Sequence, residues 1–410
     1  MKSSYKKIGD YILLVDERNK GLKVQNLLGL SISKQFIPSV ANIIGTDMEN
    51  YKIIRRNQFA CSTMQVRRDK KMPVALLQEV DEAIISQAYP IFEVKDEQEL
   101  LPEYLMMWFT RSEFDREACF NAVGGVRGSL EWEDFCDMQL PIPSITKQRE
   151  IVKEYKVIQN RITLNQQLIQ KLEETAQAIY KQWFVDFEFS NEDGKPYKSN
   201  GGEMVESELG EIPRGWDWKE ISSICEITSS KRIFENEYKN DGVPFYRGKE
   251  ITLKKAGEVI SDPVYISKER YAEIVKSFGK PKEGDILMTA VGTIGSTYIV
   301  QNEEFYFKDG NVVWFKNFLK PGSNFFLYDF MQSDMFNSVI DEITIGSTQN
   351  AITITTFGQQ RIIFPNDLIL KNYINISTKL NKVITTKKNQ LLLLHSLKEL
   401  LLSKLATIEN

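Results

Sequence analysis

The 410-residue sequence is poor in the residues that build metal sites and histidine-based catalytic pairs. It has four cysteines, Cys61, Cys119, Cys136 and Cys225, without any C-x-x-C spacing, and a single histidine, His395. These residues make neither a zinc ligand set nor a catalytic pair, so we expect no metal and no cofactor. No apolar run approaches the ~18 residues of a membrane span, and the polar start is unlike a signal peptide. We therefore expect a cytoplasmic protein.

The sequence also lacks the signatures of two enzyme activities. None of its 13 prolines is adjacent to another, so the Asn/Asp-Pro-Pro-aromatic signature of adenine methyltransferases is missing. No Gly-x-x-x-x-Gly-Lys-Ser/Thr loop occurs, which argues against ATP hydrolysis. We therefore predict a protein that has no catalytic residues of its own.

The charge is close to balanced but unevenly distributed. A net charge of −4 argues against a protein that grips nucleic acid by bulk charge alone. Residues 1–76 carry 14 Lys/Arg against 6 Asp/Glu, whereas residues 77–145 carry 4 against 15. This pattern predicts a basic surface backed by an acidic one in the first part of the chain, with scattered solvated charges as the alternative.

One long stretch, residues 145–183, has the spacing of a helix that packs on a single partner helix. Its apolar residues recur at alternating intervals of four and three, with charged and polar residues between them. The seam residues of this first arm are Ile151, Tyr155, Ile158, Ile162, Ile169, Leu172 and Ile179. An ordinary amphipathic core helix is the alternative, but the unbroken run favours a coiled coil.

The first arm has a second copy, since Pro143 and Pro365 lie 222 residues apart within matching patterns. The seam residues of the second arm are Leu380, Ile384, Leu391, Leu394, Leu401 and Leu405. Asn165 and Lys387 occupy the same seam position, where a buried polar residue would fix the register. Because neither arm can bury its stripe alone, we predict that the two arms pair with each other.

The predicted fold class is α+β, with two mixed α/β domains separated by two long helices that form an antiparallel coiled coil, in an internal pseudo-two-fold duplication. The predicted segments are 1–143 (first domain), 144–186 (first arm), 187–215 (connector), 216–365 (second domain) and 366–410 (second arm). Residues 8–15 are predicted as a strand, and residues 103–120 and 325–340 as single helices. A glycine-rich loop at 124–129 is predicted either as a turn or as a loop that approaches a ligand backbone.

Several short motifs together resemble the specificity subunits of type I restriction–modification systems. The motifs are Leu140-Pro141-Ile142-Pro143 with Gln148-Arg149-Glu150-Ile151-Val152, Ile212-Pro213-Arg214-Gly215-Trp216, Phe245-Tyr246-Arg247-Gly248, Gly284-Asp285-Ile286-Leu287 and Val291-Gly292-Thr293-Ile294-Gly295. The resemblance covers essentially the whole chain. Each motif is short, and their combination is what makes the resemblance specific.

The resemblance implies a non-catalytic subunit that recognises a bipartite site in double-stranded DNA. Each target recognition domain would read one half-site, and the helices would dock two methyltransferase subunits, through which restriction and translocase subunits join. It implies neither a membrane nor a small-molecule substrate as partner. A two-domain coiled-coil scaffold protein without direct base reading is the alternative, supported by the acidic net charge.

Candidate DNA-binding residues are chosen as side chains that can reach base edges or phosphates. Arg and Lys suit guanine, Asn and Gln suit adenine, and Ser and Thr suit either, while most contacts go to phosphates. The candidates in the first domain are Arg55, Arg56, Gln65, Arg67, Arg68, Lys70, Lys71 and Arg127. Those in the second domain are Lys231, Arg232, Tyr246, Arg247, Lys249, Thr293, Thr348, Gln349 and Asn350.

Overall fold

The computed structural model describes residues 5–39, 46–125, 128–343 and 352–408. The chain divides into two compact units: unit 1 comprises Met1–Arg161 with Leu394–Asn410, and unit 2 comprises Ile162–Leu393. Each unit contains one mixed α/β domain and one part of each long helix. No helix in these described ranges is long and apolar enough to cross a membrane. The five-segment division stays a prediction.

Unit 1 consists of short strands, short helices and the beginning of one long helix. Its strands are β1 (Tyr5–Lys7), β2 (Ile12–Val15), β3 (Leu28–Leu30), β4 (Phe36–Pro38), β5 (Lys52–Arg55), β6 (Phe59–Cys61), β7 (Val74–Leu76), β8 (Glu82–Ile85), β9 (Ile91–Val94) and β10 (Gln139–Pro141). Its helices are α1 (Ile8–Tyr11), α2 (Val66–Asp69), α3 (Pro102–Thr110), α4 (Ser112–Asn121), α5 (Trp132–Asp137) and the first part of α6 (Ile145–Phe184).

The centre of unit 1 is a four-stranded antiparallel sheet with the strand order β2-β9-β6-β7. β6 is buried along its whole length, as expected of an apolar strand that lies between two neighbours and is covered on both faces. Phe59 of β6 stacks on Phe92 of β9 with ring centroids 4.9 Å apart. Three two-stranded ladders, β1-β10, β3-β4 and β5-β8, complete the domain.

The prediction of a single strand over residues 8–15 is wrong, because helix α1 precedes β2. The buried Ile8 donates its backbone N–H to the carbonyl oxygen of Met138 at 2.8 Å. A Cβ on Gly9 would lie 2.8 Å from the Cβ of Cys136, so the helix can approach α5 closely only with glycine there. This tertiary contact overrides the local strand preference of an apolar run.

Unit 2 contains the rest of α6, the connector, the second domain and most of the second long helix. Its strands are β11 (Met204–Val205), β12 (Ile212–Pro213), β13 (Asp217–Glu220), β14 (Glu226–Thr228), β15 (Val243–Tyr246), β16 (Tyr265–Ile266), β17 (Ile286–Thr289), β18 (Thr297–Ile299), β19 (Tyr306–Phe307), β20 (Val312–Lys316) and β21 (Arg361–Phe364). Its helices are α7 (Gly248–Ala256), α8 (Lys268–Phe278), α9 (Ser323–Phe330), α10 (Asp334–Ile343), α11 (Ile354–Gly358) and the first part of α12 (Asp367–Lys404).

The central sheet of unit 2 repeats that of unit 1. Its strand order is β14-β20-β17-β18, again antiparallel throughout, and β17 is buried along its whole length. The pair β13-β21 corresponds to β1-β10. Unit 2 adds a small sheet in which β15 pairs antiparallel with β16 and parallel with β19. The predicted duplication of a mixed α/β domain is therefore confirmed.

Each of the two predicted single helices is broken into two. In unit 1, α3 and α4 are separated by Arg111, which has an extended backbone and lies with its guanidinium 4.1 Å from the centre of the Trp108 ring. In unit 2, α9 and α10 are separated by a short turn, where the Ser333 hydroxyl accepts the Phe336 amide at 3.4 Å. The break recurs at the same place in both domains, so it belongs to the duplicated fold.

The two long helices, α6 and α12, run antiparallel. Neither contains glycine or proline, and each begins beside a side-chain acceptor: Ser144 accepts the Lys147 amide, and Asn366 accepts the Ile369 amide. In unit 1, Ile151 and Val152 near the start of α6 share a core with Leu402 near the end of α12.

In unit 2 the later part of α6 meets the earlier part of α12. Lys388 forms an ion pair with Glu173 at 2.7 Å, and Tyr373 packs against Phe184 with ring centroids 4.7 Å apart. A later residue of α6 therefore contacts an earlier residue of α12, as in an antiparallel pair of helices. Every predicted seam residue of both arms is buried or half-buried. The predicted antiparallel coiled coil is confirmed.

The prediction that Asn165 and Lys387 are buried polar residues in the seam is wrong. Both side chains are only half-buried, and Lys387 donates a hydrogen bond to the exposed Gln390. The deeply buried polar residues of α12 are instead Ser377 and Asn381. Both side chains hydrogen-bond to Asp329 of α9 in the second domain. α12 therefore packs a polar face against the second domain in addition to its apolar seam.

Gln148 and Asp329 are buried polar side chains that bind the domains to the long helices. Gln148, fully buried near the start of α6, donates to the carbonyl oxygens of Glu99 and Pro143 and accepts the Leu101 amide, all between 2.8 and 2.9 Å. Asp329 of α9 accepts hydrogen bonds from the Tyr373 hydroxyl at 2.7 Å and from the Ser377 hydroxyl.

Candidate nucleic-acid interface

An open groove of about 700 Å³ lies in unit 2 at the N-terminus of α7. It brings together three of the predicted DNA-binding residues, Arg247, Lys249 and Thr293. Lys308 and Asn311, which the sequence did not single out, also line it. We call this feature the unit 2 groove.

The small sheet of unit 2 explains why these residues meet. β15 and β19 are parallel, so the chain leaves both strands at the same edge of the sheet. Arg247 follows β15 and Lys308 follows β19, and the Lys308 amide donates to the carbonyl oxygen of Tyr246 at 2.9 Å. The signal for Lys308 in the sequence was its position between an aromatic strand and the Asp309-Gly310 turn.

A tight loop after β17 supplies the opposite wall of the groove. The Thr289 hydroxyl accepts the Ser296 amide at 3.0 Å and donates to the carbonyl oxygen of Thr293. Gly292, with φ +79°, would meet no atom within 4 Å if it carried a Cβ, so it lies at the open side of the loop. The loop thus presents Gly292 and the side chain of Thr293 to solvent, whereas Thr289 is buried.

Arg247 is held by Glu250 through two guanidinium hydrogen bonds, at 3.0 Å from Nε and 2.7 Å from Nη2. Glu250 is 1% exposed. Burial opposes ionisation of Glu250, but the hydrogen bonds and positive charge of Arg247 outweigh it and lower the pKa of Glu250. The pair also raises the pKa of Arg247. Arg247 is therefore oriented by its pairing with Glu250.

Lys249 and Lys308 have no carboxylate partner among the residues that the structure describes. The groove therefore combines two uncommitted ammonium groups, an oriented guanidinium, a threonine, an asparagine and one carboxylate, that of Asp262. Such a set can bind phosphates through the cations and base edges through the amide and hydroxyl groups.

Tyr246 is not placed to contact DNA. It is 7% exposed, stacks on Phe305 with ring centroids 4.4 Å apart, and donates its hydroxyl to Glu303 at 3.0 Å. Burial, with the nearby Glu303 carboxylate, raises the pKa of its phenol. A group that reads a base must reach the surface, so this geometry argues against the predicted contact. Its apolar neighbours on β15 already pointed to a core role.

Lys231 and Arg232 lie on a segment beside the end of β19. The Ser230 hydroxyl donates to the carbonyl oxygen of Phe307 at 2.7 Å, which fixes this segment next to Lys308. Arg232 pairs with Asp309 at 3.2 Å, and Lys231 lies 5.1 Å from the centre of the Phe278 ring. Both side chains are exposed and extend the basic surface near the unit 2 groove.

In unit 1 the predicted basic cluster falls into two groups on different elements. Arg55, at the end of β5, pairs with Glu17 at 2.7 Å and with Glu82 at 2.6 Å. Arg56 pairs with Asp81 at 2.9 Å. Glu82 and Asp81 come from the acidic stretch of the sequence, so the predicted spatial separation of charge is wrong here. β5 and β8 pair, which brings the two stretches together.

The second group surrounds α2, which follows β6. Arg67 donates from Nη1 to the carbonyl oxygen of Gly124 at 2.9 Å, and a Cβ on Gly128 would lie 2.6 Å from its Cδ. Val123 and Ser129, on either side of the glycine-rich loop, form a bridge, and the described glycines Gly124 and Gly128 lie next to this arginine or to each other. Residues 126 and 127 of the loop lie outside the described residues, and both alternatives for the loop stay predictions.

Three cations near α2, Arg67, Lys70 and Lys71, have no carboxylate partner in the described part of the chain, whereas Arg68 pairs with Asp69 at 2.6 Å. The buried Oε1 of Gln65 has no hydrogen-bond partner there. The predicted residues Arg127, Thr348, Gln349 and Asn350 lie outside the described residues. Within the described ranges, no group of three His, Cys, Asp or Glu side chains could hold a metal ion.

A family model described as the type I restriction modification DNA specificity domain matches this chain over residues 67–174 and 213–398. Two copies of such a domain, each joined to a long helix, define a DNA-specificity protein. The chain belongs to the type I restriction–modification DNA specificity family, as its motifs predicted.

Individual relatives agree with this assignment. The chain is 24% identical over 321 residues to the MjaIX specificity subunit of Methanocaldococcus jannaschii, covering 75% of this chain and 68% of that protein. It is 37% identical over 113 residues to a Haemophilus influenzae protein named as a type I restriction enzyme specificity subunit, and this alignment covers 27% of each chain. The matched region thus spans about a quarter of that relative's length.

The fold is similar to that of the type I restriction–modification S subunit from M. genitalium. The TM-score is 0.58 at 12% sequence identity, and the superposition covers 99% of this chain and 96% of that chain. At this identity the likeness concerns the fold alone.

Proposed function

We propose that the chain is the DNA-reading subunit of a type I restriction–modification complex and that it recognises a bipartite target, one half-site per domain. The proposal rests on one observation: the two domains have the same sheet topology but carry different segments after the equivalent strands β6 and β17. The first is followed by a basic short helix and the second by a glycine-containing loop. Two readers on one scaffold with different side chains suit two different half-sites.

The unit 2 groove supports base reading in the second half-site. In the proposal, Lys249 and Lys308 contact phosphates and fix the position of the domain, while Thr293 and Asn311 face base edges. In unit 1, Arg67, Lys70 and Lys71 take the corresponding positioning role. Arg55 and Arg56 contribute less, because their charges are already neutralised by paired carboxylates.

The long helices are proposed to dock the methyltransferase subunits and to act as the spacer. In unit 1, the exposed side chains of Val157, Leu397 and Leu400 line an open groove of about 580 Å³ between the two helices. In unit 2, Leu164 and Leu393 are also exposed on these helices. Exposed apolar side chains beyond a filled seam are typical of a helix-docking surface, and an amphipathic helix of the methyltransferase subunit fits it.

Catalysis is proposed to belong to the partner subunits. The test is to express the chain together with type I methyltransferase subunits and to map the methylated adenines in the host DNA. The proposal predicts methylation at one split sequence, and exchange of the segment that carries Lys249, Thr293 and Lys308 for that of a relative should change only one half of it. Methylation that does not depend on the chain would overturn the proposal.

A second measurement separates DNA reading from a scaffold role. A reader gives a mobility shift of target DNA by the reconstituted complex that scrambled DNA of equal length does not reproduce. A scaffold without base reading gives equal shifts for both. The measurement is made at fixed salt, because phosphate contacts alone change strongly with ionic strength.

A further inference from the structure

The end of α4 in unit 1 carries an aromatic side chain that the domain leaves uncovered. Phe120 is 84% exposed, whereas Phe114 on the same helix and Phe109 on α3 are almost fully buried. Phe120 therefore contributes little to the core of the unit. Val123, three residues further on, is also half-exposed. A large exposed aromatic side chain is costly in water unless a partner covers it.

The contacts of Cys119 and Arg67 place this ring beside α2. Cys119 donates from Sγ to the carbonyl oxygen of Val66 at 3.3 Å, so the end of α4 lies against the start of α2. Arg67 reaches the Gly124 carbonyl oxygen, a few residues beyond Phe120. Burial raises the pKa of the Cys119 thiol, and the positive charges of Arg67 and Lys70 act on it in the opposite direction. The two hydrogen bonds place Arg67 and the start of α2 close to the end of α4.

The charge around the ring identifies the class of partner. Arg67, Lys70 and Lys71 have no carboxylate partner in the described ranges. On α4 itself, about one helical turn before Phe120, Arg116 and Glu117 are both exposed, and Arg116 pairs with Glu113. A surface that combines uncommitted cations with an exposed aromatic ring is complementary to nucleic acid, since the cations hold phosphates and the ring stacks on a base.

We propose that Phe120 is a wedge that inserts at one base step of the half-site read by unit 1, with Arg67, Lys70 and Lys71 holding the flanking phosphates. The wedge rests on the proposed function and adds a positioning residue to it. An inserted ring separates two stacked base pairs. The sequence at that step is then recognised through the energy needed to deform the DNA and not through hydrogen bonds to the bases. The position equivalent to Phe120 in unit 2 is Glu342, so the distortion is confined to one half-site.

The test uses the chain reconstituted with methyltransferase subunits and duplexes of the mapped target, with 2-aminopurine at successive positions of each half-site. The wild-type complex should raise 2-aminopurine fluorescence at one step of the unit 1 half-site. Phe120→Ala should abolish this rise and weaken target binding about tenfold, the loss of one stacked base. Phe120→Trp should preserve both, because the indole can still stack.

Leu13→Ala serves as the matched control, since Leu13 is exposed in the same unit on β2. It should leave fluorescence and affinity unchanged. One outcome is that the wild-type complex binds target DNA more tightly than scrambled DNA, while Phe120→Ala gives the same affinity and the same 2-aminopurine fluorescence as the wild type. In that case the wedge is wrong and the proposed function stands. If Phe120→Ala instead prevents assembly with the methyltransferase subunits on size exclusion, the ring contacts protein, which also overturns the wedge. Absence of sequence-dependent binding by the wild type would count against the proposed function itself.

Discussion

Units 1 and 2 share a scaffold but bury their polar groups against the long helices at different places. In unit 1 the buried group is Gln148, and the residue 222 positions later, Leu370, is apolar. In unit 2 it is Asp329, and the residue 222 positions earlier, Met107, is apolar. Each polar group is accompanied by its own set of hydrogen-bond partners. The comparison teaches that this fold accepts a buried polar residue at either of these two positions only when hydrogen-bond partners are present for its polar atoms.

The largest expected effect comes from exchanging the residues that distinguish the units. Met107→Asp buries a carboxylate where unit 1 has no prepared set of hydroxyl donors, and we expect a loss of about 4 kcal/mol in the free energy of unfolding. Urea unfolding followed by circular dichroism measures it. Met107→Leu, the volume-conserving control, should cost below about 1.5 kcal/mol. Equal midpoints for the two variants would show that unit 1 can solvate a charge there.

The protonation of Asp329 should make unit 2 sensitive to pH in a way that unit 1 is not. Burial raises its pKa to about 6, although its hydrogen bonds to Ser377, Tyr373 and Asn381 act to lower it. Because the folded-state pKa is above the unfolded value, the stability that this group contributes is complete below about pH 4. It is lost as the pH rises through about 6, and amounts to about 3 kcal/mol.

Asp329→Asn removes this titration. The stability of the wild type relative to Asp329→Asn should therefore fall between pH 4 and pH 7, as measured by urea unfolding at several pH values. A difference that stays constant over this range would contradict the assignment. The comparison with the variant cancels the titration of other groups that both proteins share.

Gln148→Leu introduces the unit 2 residue into unit 1 and should destabilise the protein by about 2 kcal/mol. The substitution leaves the Leu101 amide and the carbonyl oxygens of Glu99 and Pro143 without their partner. Thermal unfolding reports the effect. As a control, Gln148→Glu keeps the acceptor for Leu101 but loses the amide donor. A melting temperature for Gln148→Leu equal to that of the wild type would mean that solvent replaces these bonds.

The smallest effect concerns the surfaces proposed to contact DNA. Lys249→Ala in the unit 2 groove should weaken target binding several-fold and reduce the slope of log K against log salt by about one. Arg56→Ala in unit 1 should change both less, because Arg56 already pairs with Asp81. Fluorescence anisotropy at several salt concentrations measures both. We therefore predict a larger loss of affinity for Lys249→Ala than for Arg56→Ala. The opposite result would mean that the ion pair between Arg56 and Asp81 breaks when DNA binds.

The periodic parts of the sequence predicted the structure well because helix seams and strand runs are set by local spacing. The antiparallel arms and the duplicated domain follow from such patterns. The prediction was wrong where partners distant in sequence decide the conformation. Asp329 draws Ser377 and Asn381 inward, Arg111 breaks a helix, and Gly9 allows α1 to form against α5.

The candidate site was predicted less completely than the fold. Arg247, Lys249 and Thr293 do meet in one groove, but Lys308 joins them only because two short strands pair in parallel. The pairing of Arg55 with Glu17 and Glu82 was equally invisible, since composition along the chain says nothing of which strands are neighbours. Charge counts therefore overestimated the free cations in unit 1.

The hydroxyl of Tyr5 donates to the carbonyl oxygen of Ala406 at 2.9 Å, which brings the beginning and the end of the described chain side by side. A circular permutant that links the segments of Tyr5 and Ala406 and is opened within the turns near Asn191 should keep this hydrogen bond. The order of the two domains along such a polypeptide would be set by where the backbone is cut, and the hydrogen bond between Tyr5 and Ala406 would become a contact within a continuous segment.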